Sequence, residues 1–187
     1  MRLVVSCIDR RLNSFLEKNY NDGETLFVRT AGANVNSLKD TELLLKQANK
    51  IIVVTHSDCG AIGVVYKTLN ERSIPDELER LISPFLQYAG HTRSELEHIN
   101  AEVQGLFARK MSSADIQTEF VLTKKLDTKA SENSSAVITR PSTVKYSEML
   151  PLNKINSTFI VQNLGHDRAF DKLILTKFLG INNLTYI

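Results

Sequence analysis

Two cysteines and one histidine in this sequence have the side-chain types and the spacing of metal ligands. Cys7 follows a short apolar run at the start of the chain, and His56 and Cys59 follow the apolar run at 51–55. Imidazole nitrogen and thiolate sulfur are ligands that suit zinc, and three protein ligands leave a fourth position for water or substrate. The sequence therefore predicts one catalytic zinc ion per chain, held by these three side chains.

An acidic and a basic residue follow the first of these ligands closely. Asp9 and Arg11 lie in the turn after Cys7. A free carboxylate beside zinc can occupy the fourth position, and a paired arginine would hold it off the metal and keep it ionised. Alone, C-x-D-x-R is typical of an ordinary turn with a solvated arginine. Combined with H-x-x-C after a later strand, it predicts a catalytic pair, and Arg10 is expected at the surface.

Alternating strands and helices are needed to bring these residues together. Apolar runs predict strands at 2–6, 25–29 and 51–55, and helical spacing predicts helices at 12–20, 38–48 and 61–71. Such alternation is typical of βαβ units, in which parallel strands end at one edge of the sheet. We therefore predict an α/β fold with a mostly parallel central sheet flanked by helices.

The second half of the sequence has a less regular pattern. We predict helices at 74–88, 93–111 and 167–179, a loop at 128–147, and strands at 120–122, 136–138, 157–162 and 184–187. His91 and His98 lie in polar stretches and are expected to be solvated. We expect residues 1–187 to form a single zinc-binding domain, with a divergent helical and loop insertion around 73–156.

Composition excludes several functional classes. The formal net charge is only +2. The sequence also lacks a basic stripe interleaved with aromatic residues, which would predict nucleic-acid binding. No apolar run approaches the roughly 20 residues that span a bilayer, and the N-terminus is too short in its apolar part for a secretory signal. We therefore expect a cytoplasmic protein without a membrane partner. In the cytoplasm, cysteines are more often free thiols or metal ligands than partners in a disulfide. The other alternative is that the two cysteine side chains only pack in the core.

Three motifs in order resemble those of the β-class carbonic anhydrases. They are C-I-D-R-R at 7–11, R-T-A-G-A-N at 29–34 and H-S-D-C-G-A at 56–61. The resemblance implies zinc on Cys7, His56 and Cys59 and a dyad of Asp9 and Arg11. It also implies a β-carbonic-anhydrase-like fold and a homodimer or larger homo-oligomer with the site near the interface. The implied reaction is reversible hydration of carbon dioxide to bicarbonate and a proton by zinc-bound hydroxide.

The sequence departs from the family pattern at several positions. Arg10 replaces the usual serine, Thr30 replaces the usual asparagine, and the chain has no tryptophan for the family's inhibitory bicarbonate site. With six residues before Cys7, we expect the family's N-terminal helical arm and its pocket glutamine to be absent.

Backbone N–H groups at Gly60 and Ala61, where a helix begins, are expected to bind the substrate.

Three alternatives to carbon dioxide hydration follow from the same residues. The zinc site would also suit hydrolysis of another small linear molecule, carbon disulfide or carbonyl sulfide. A second alternative is a catalytically inactive zinc-binding homologue, although the dyad would have no use in one. In the third, Cys7 is the nucleophile of a phosphatase- or rhodanese-like loop. Position 13, where that loop needs an arginine, is Asn13.

Overall fold

A computed structural model of the chain describes residues 2–20, 22, 25–71, 74, 76–126, 135–139, 158–162 and 183–186. The strands are β1 (Arg2–Cys7), β2 (Thr25–Thr30), β3 (Lys50–His56), β4 (Asp115–Val121), β5 (Ser135–Thr139), β6 (Thr158–Gln162) and β7 (Asn183–Tyr186). The α-helices are α1 (Asn13–Tyr20), α2 (Glu42–Gln47), α3 (Gly60–Thr68), α4 (Glu79–Ile82) and α5 (Arg93–Met111). Short 3-10 helices lie at Arg10–Leu12, Ala31–Ala33, Val35–Thr41, Asp76–Leu78, Ser83–Tyr88 and Thr123–Lys125.

The seven described strands form one sheet in the order β4-β3-β1-β2-β6-β5-β7, and all their pairings are parallel. This confirms the predicted α/β class. The chain passes from β1 to β2 on one side and then crosses to β3 on the other. In open α/β sheets, ligands bind outside the carboxyl ends of the strands at such a switch point.

Burial on both faces explains why the central strands are nearly continuous apolar runs. In β1, Val4 belongs to one hydrophobic core and Val5 to the core on the opposite face. Helix α5 contributes to both cores, through Leu96 in the first and Ala108 in the second. The carboxyl ends of the central strands, where the predicted ligands lie, are thereby held by packing on both faces of the sheet.

Two predicted helices differ from those observed. The helix predicted at 74–88 is broken into short 3-10 and α segments, and Pro84 at the start of the last one lacks an N–H group. The helix predicted at 38–48 begins as the 3-10 helix Val35–Thr41, and the Ser37 hydroxyl donates to the Asn34 carbonyl at 2.6 Å. Of three leucines predicted to face inward there, Leu45 is buried, and the side chains of Leu43 and Leu44 lie outside the described residues.

Other predicted elements agree more closely with the structure. The helix predicted at 93–111 is α5, and the strand predicted at 120–122 is the end of the longer β4. Strands β5, β6 and β7 occur where the sequence predicted them. The helix predicted at 167–179 lies outside the described residues, as does the loop at 128–147 apart from β5. Among the helices that the structure describes, none combines the length and apolar character needed to cross a membrane.

Candidate metal centre

The three predicted metal ligands meet at the carboxyl ends of β1 and β3. Cys7 is the last residue of β1, His56 is the last residue of β3, and Cys59 is the N-cap of α3. All three are buried, and their ligand atoms lie within 4.8 Å of one another. Both cysteines are free thiols, so they do not form a disulfide. The structure therefore assembles a group that can hold a metal ion from residues 52 positions apart in the sequence.

The geometry of this group suits zinc. The two sulfur atoms are 3.9 Å apart. Two thiolates at about 2.3 Å from one tetrahedral zinc ion would be about 3.8 Å apart. His56 Nδ1 lies 2.8 Å from the Ser57 carbonyl, to which it can donate, and Nε2 is buried without a hydrogen-bond partner within the described residues. A backbone partner on one ring nitrogen is the usual way in which a ligand histidine is oriented.

The pKa values of the two thiols are shifted in opposite directions. A hydrogen bond with Cys59 and the nearby His56 ring favour the Cys7 thiolate over the effect of burial, so the pKa of Cys7 lies well below its ordinary value. The same hydrogen bond and burial raise the pKa of Cys59 well above its ordinary value. The backbone N–H groups of Ala61 and Ile62 act in the opposite direction on Cys59. One thiolate is thus already favoured, and metal binding would release the remaining proton.

Asp9 and Arg11 form a close ion pair beside the three ligands. Arg11 Nη2 lies 2.6 Å from Asp9 Oδ2, Nε donates to both carboxylate oxygens, and the Arg11 backbone N–H donates to Oδ1 at 2.9 Å. Partial burial raises the pKa of Asp9, but these hydrogen bonds outweigh it and hold the pKa below its usual value. In the described part of the chain, Asp9 is not a member of the metal-ligand group. The carboxylate is therefore ionised and turned to Arg11.

Arg11 also joins the two motifs at the mouth of the site. Its Nη1 donates to Asp58 Oδ2 at 3.0 Å, and its Nη2 donates to the Asp58 carbonyl at 2.9 Å. The guanidinium thus ties the turn after β1 to the turn after β3. Asp58 was not among the predicted site residues, although it lies inside the H-x-x-C motif.

Arg29 is a buried cation beneath the site, and its role was not predicted from the sequence. Its guanidinium donates to the carbonyls of Cys7 and Asp9 at 2.6 and 2.8 Å and to Asn13 Oδ1 at 3.0 Å. Burial lowers the pKa of Arg29 to about 10, which leaves it charged at neutral pH. An arginine directly after the apolar residues at 26–28 is the sequence signal that could have revealed this role.

The two residues predicted to bind substrate occupy the first turn of α3. Gly60 is exposed, and apart from its chain neighbours and the backbone of α3 no described atom lies within 4 Å of the position that a Cβ would take there. Ala61 is half-buried and packs against the loop after β2, where a Cβ on Gly32 would approach its Cβ to 3.2 Å. Gly32 also has a φ of +70°, so both its conformation and its space require glycine.

The two histidines that the sequence analysis expected to be solvated are not members of the ligand group. His91 and His98 are exposed, as expected; His91 contacts the Tyr88 carbonyl and His98 stacks on Phe120. The Arg10 side chain lies outside the described residues.

Comparison with known families identifies the relationship. A family model described as carbonic anhydrase matches residues 2–138. The chain belongs to the carbonic anhydrase family. The match extends well beyond the three motifs and includes β4 and α5, and the motifs with the parallel sheet agree with the β class. No curated protein matches the chain.

Proposed function

We propose that this carbonic anhydrase family member catalyses the reversible hydration of carbon dioxide to bicarbonate and a proton. The observation that carries the proposal is the Asp9 carboxylate, held by hydrogen bonds from Arg11 beside the buried group of Cys7, His56 and Cys59. A purely structural metal site would not require a carboxylate held in this way. The family match supports the same reaction class.

The three ligands would hold one zinc ion per chain and leave a fourth coordination position. When bound, zinc would supply a water whose pKa is lowered toward neutrality. His56 would bind through Nε2, because its Nδ1 faces the Ser57 carbonyl. Burial of all three ligands limits access of bulk water to the metal, and in such a site electrostatic interactions are stronger than in water.

Asp9 is proposed to orient the nucleophilic water by accepting a hydrogen bond from it. Both carboxylate oxygens already accept hydrogen bonds from Arg11, which keeps Asp9 ionised and away from the ligand group. A carboxylate that stays charged can accept but cannot donate, so it fixes which lone pair of the water faces the substrate. Arg11 therefore acts through Asp9 as a positioning residue.

Gly60 and Ala61 are proposed to border the place where carbon dioxide binds. The open space around Gly60 would admit a small linear molecule next to the metal ligands. A backbone N–H at the start of α3 could donate to a developing bicarbonate oxygen. The homodimer with its site near the interface and the cytoplasmic location expected from the sequence remain predictions.

Stopped-flow measurement of carbon dioxide hydration by the zinc-loaded protein tests the proposal. We expect a rate well above that of buffer between about pH 7 and about pH 9, where metal-bound water ionises in such enzymes. The control is the double variant Cys7→Ser with Cys59→Ser, which should bind little zinc and add no rate. Zinc-loaded protein without activity on carbon dioxide would contradict the proposal, and hydrolysis of carbonyl sulfide by the same sample would favour the alternative substrate.

A further inference from the structure

Helix α5 places a buried carboxylate against the turn that carries Cys59. Glu97 is 6% exposed. Its Oε2 accepts a hydrogen bond from the Asp58 backbone N–H at 2.9 Å, and its Oε1 accepts one from the Cys59 backbone N–H at 3.0 Å. One carboxylate thus binds two consecutive N–H groups, the second of which belongs to a proposed zinc ligand.

The backbone of this turn presents two consecutive N–H groups to one anion, as an anion-binding nest does. Asp58 has a φ of +54°, in the left-handed region, and the consecutive N–H groups of Asp58 and Cys59 point to the same side. Turns of this kind bind anions through their N–H groups. Here the anion is supplied by the protein, and the left-handed backbone at Asp58 is held in place by the side chain of Glu97.

Arg93, one turn before Glu97 on the same helix, completes the contact. Its Nε donates to Glu97 Oε1 at 3.1 Å, and its Nη2 donates to the Cys59 carbonyl at 3.1 Å and to Asp58 Oδ1 at 3.2 Å. Arg93 therefore offsets the buried charge of Glu97 and holds the other side of the same turn. Asp58 in turn accepts from Arg11, so the network continues to the dyad.

Burial separates the strong contacts of this network from the weak ones. The Asp58 side chain is 65% exposed, and ion pairs at such exposed positions add little stability. The hydrogen bonds between the Glu97 carboxylate and the two backbone N–H groups are charge-assisted and shielded from water, so they are the stronger ones. The main effect of the network is therefore on the backbone at Cys59.

We propose that Glu97 and Arg93 are positioning residues that fix Cys59 relative to Cys7 and thereby determine how tightly the site binds zinc. The inference rests on the proposed zinc site. Cys59 Sγ lies 3.9 Å from Cys7 Sγ, and Cys59 directly follows Asp58 with its left-handed backbone, so a change in the conformation of this turn would move Cys59 relative to Cys7. Groups that orient ligands in this way typically change metal affinity by about 10–100-fold when they are removed.

The variant Glu97→Gln tests the inference, with Glu102→Gln as the matched control. The glutamine side chain would retain one acceptor oxygen but present an NH₂ group to the other backbone N–H. Glu102 is exposed on the same helix, so its substitution makes the same charge change away from the site. Zinc affinity, measured by competition with a chromophoric chelator, should fall about 10–100-fold for Glu97→Gln and stay unchanged for Glu102→Gln.

Cobalt substitution gives a second readout that a general loss of stability would not produce. The thiolate-to-cobalt charge-transfer bands of wild-type protein should shift or weaken in Glu97→Gln and persist unchanged in Glu102→Gln. If Glu97→Gln does not fold, Arg93→Gln serves instead, because Arg93 is 42% exposed in its side chain. It should bind zinc several-fold more weakly than wild type, with altered cobalt bands.

The outcomes distinguish this inference from the proposed function. The positioning role would be overturned if the wild-type protein binds zinc and both Glu97→Gln and Arg93→Gln have the same zinc affinity and cobalt spectra as the wild type. That result would leave the proposed function intact. A wild-type protein that binds neither zinc nor cobalt at the two cysteines would overturn both.

Discussion

At the scale of single residues, the site depends on how each charged group is held as well as on which groups are present. Asp9 is kept ionised by hydrogen bonds that occupy both of its oxygens, and Arg11 is shared between Asp9 and Asp58. The carboxylate is thus available as an acceptor at a fixed position beside the ligand group. This arrangement makes its charge, more than its size, the property that matters for the proposed reaction.

Asp9→Asn should lower the rate of carbon dioxide hydration by about 100-fold or more while zinc remains bound. Asparagine is similar in size but uncharged, and its NH₂ group would face the Arg11 guanidinium in place of an acceptor oxygen. Stopped-flow rates and metal analysis of the same sample measure both effects. Asp115→Asn, at the amino end of β4, is the control and should keep the wild-type rate. Unchanged turnover in Asp9→Asn would refute the orienting role.

Arg29→Lys should lower the free energy of unfolding by about 2–4 kcal/mol, because one ammonium group cannot reach all the acceptors that the guanidinium serves. Those acceptors include the carbonyls of Cys7 and Asp9, and at least one would be left buried without a partner. Urea unfolding measures the change. Arg2→Lys is the comparison, since Arg2 also donates several hydrogen bonds, to Asp22, Thr25 and the Tyr20 carbonyl, but from a partly exposed position where they should contribute less. Equal effects of the two substitutions would argue against a special role for Arg29.

The site residues that were predicted from the sequence lie close to one another in it, whereas the residues that were missed act on partners far away in the sequence. Cys7, Asp9 and Arg11 stand in one short turn, and His56 and Cys59 stand in another, so spacing alone predicted that they belong together. Glu97 acts 38 positions away from Cys59. In the sequence it is one of several charged residues on a polar helix, and nothing local marks it as buried.

At the scale of elements, local signals predicted a helix well where they were consistent. Helix α5 has both hydrogen bonds of a capping box, formed by Thr92 and Glu95, and its last turn carries Arg109 and Lys110. The stretch at 74–88 has helical spacing but contains Pro84, and it forms three short pieces. The start of β4 was missed because this edge strand is exposed at Asp115 and alternates with polar residues.

The contact between α5 and β4 predicts an unusual response to a glycine substitution. Replacing a glycine inside a helix by alanine ordinarily stabilises the helix by about 1 kcal/mol. Here the new Cβ would lie 2.7 Å from Thr118 Cγ2, and such crowding costs about 1–3 kcal/mol. We expect Gly105→Ala to destabilise the protein in thermal unfolding. In a Thr118→Ser background, which lacks the clashing methyl group, the same change should be neutral or stabilising; stabilisation in the wild-type background would contradict the prediction.

At the scale of the whole molecule, the position of the site follows from the order of the strands. Because β3 pairs with β1 on the side opposite β2, the strand ends that carry Cys7 and His56 become neighbours. Apolar runs predicted the strands and their parallel arrangement, but they do not determine which strand lies beside which. That order depends on the packing of both hydrophobic cores against the sheet, and it was visible only in the folded chain.

Removal of zinc should therefore lower the stability of the entire domain. Metal that binds only the folded chain adds about 4 kcal/mol to the free energy of unfolding at a thousand times its dissociation constant. Without it, the buried His56 Nε2 has no partner within the described residues, and Cys7 and Cys59 are no longer joined through a shared metal ion. Calorimetry should show a lower unfolding temperature after chelation and recovery when zinc is restored. The variant Cys7→Ser with Cys59→Ser is the control, and its unfolding temperature should not respond to zinc. The same response in this variant, or none in the wild type, would show that the metal does not join the two ends of the site.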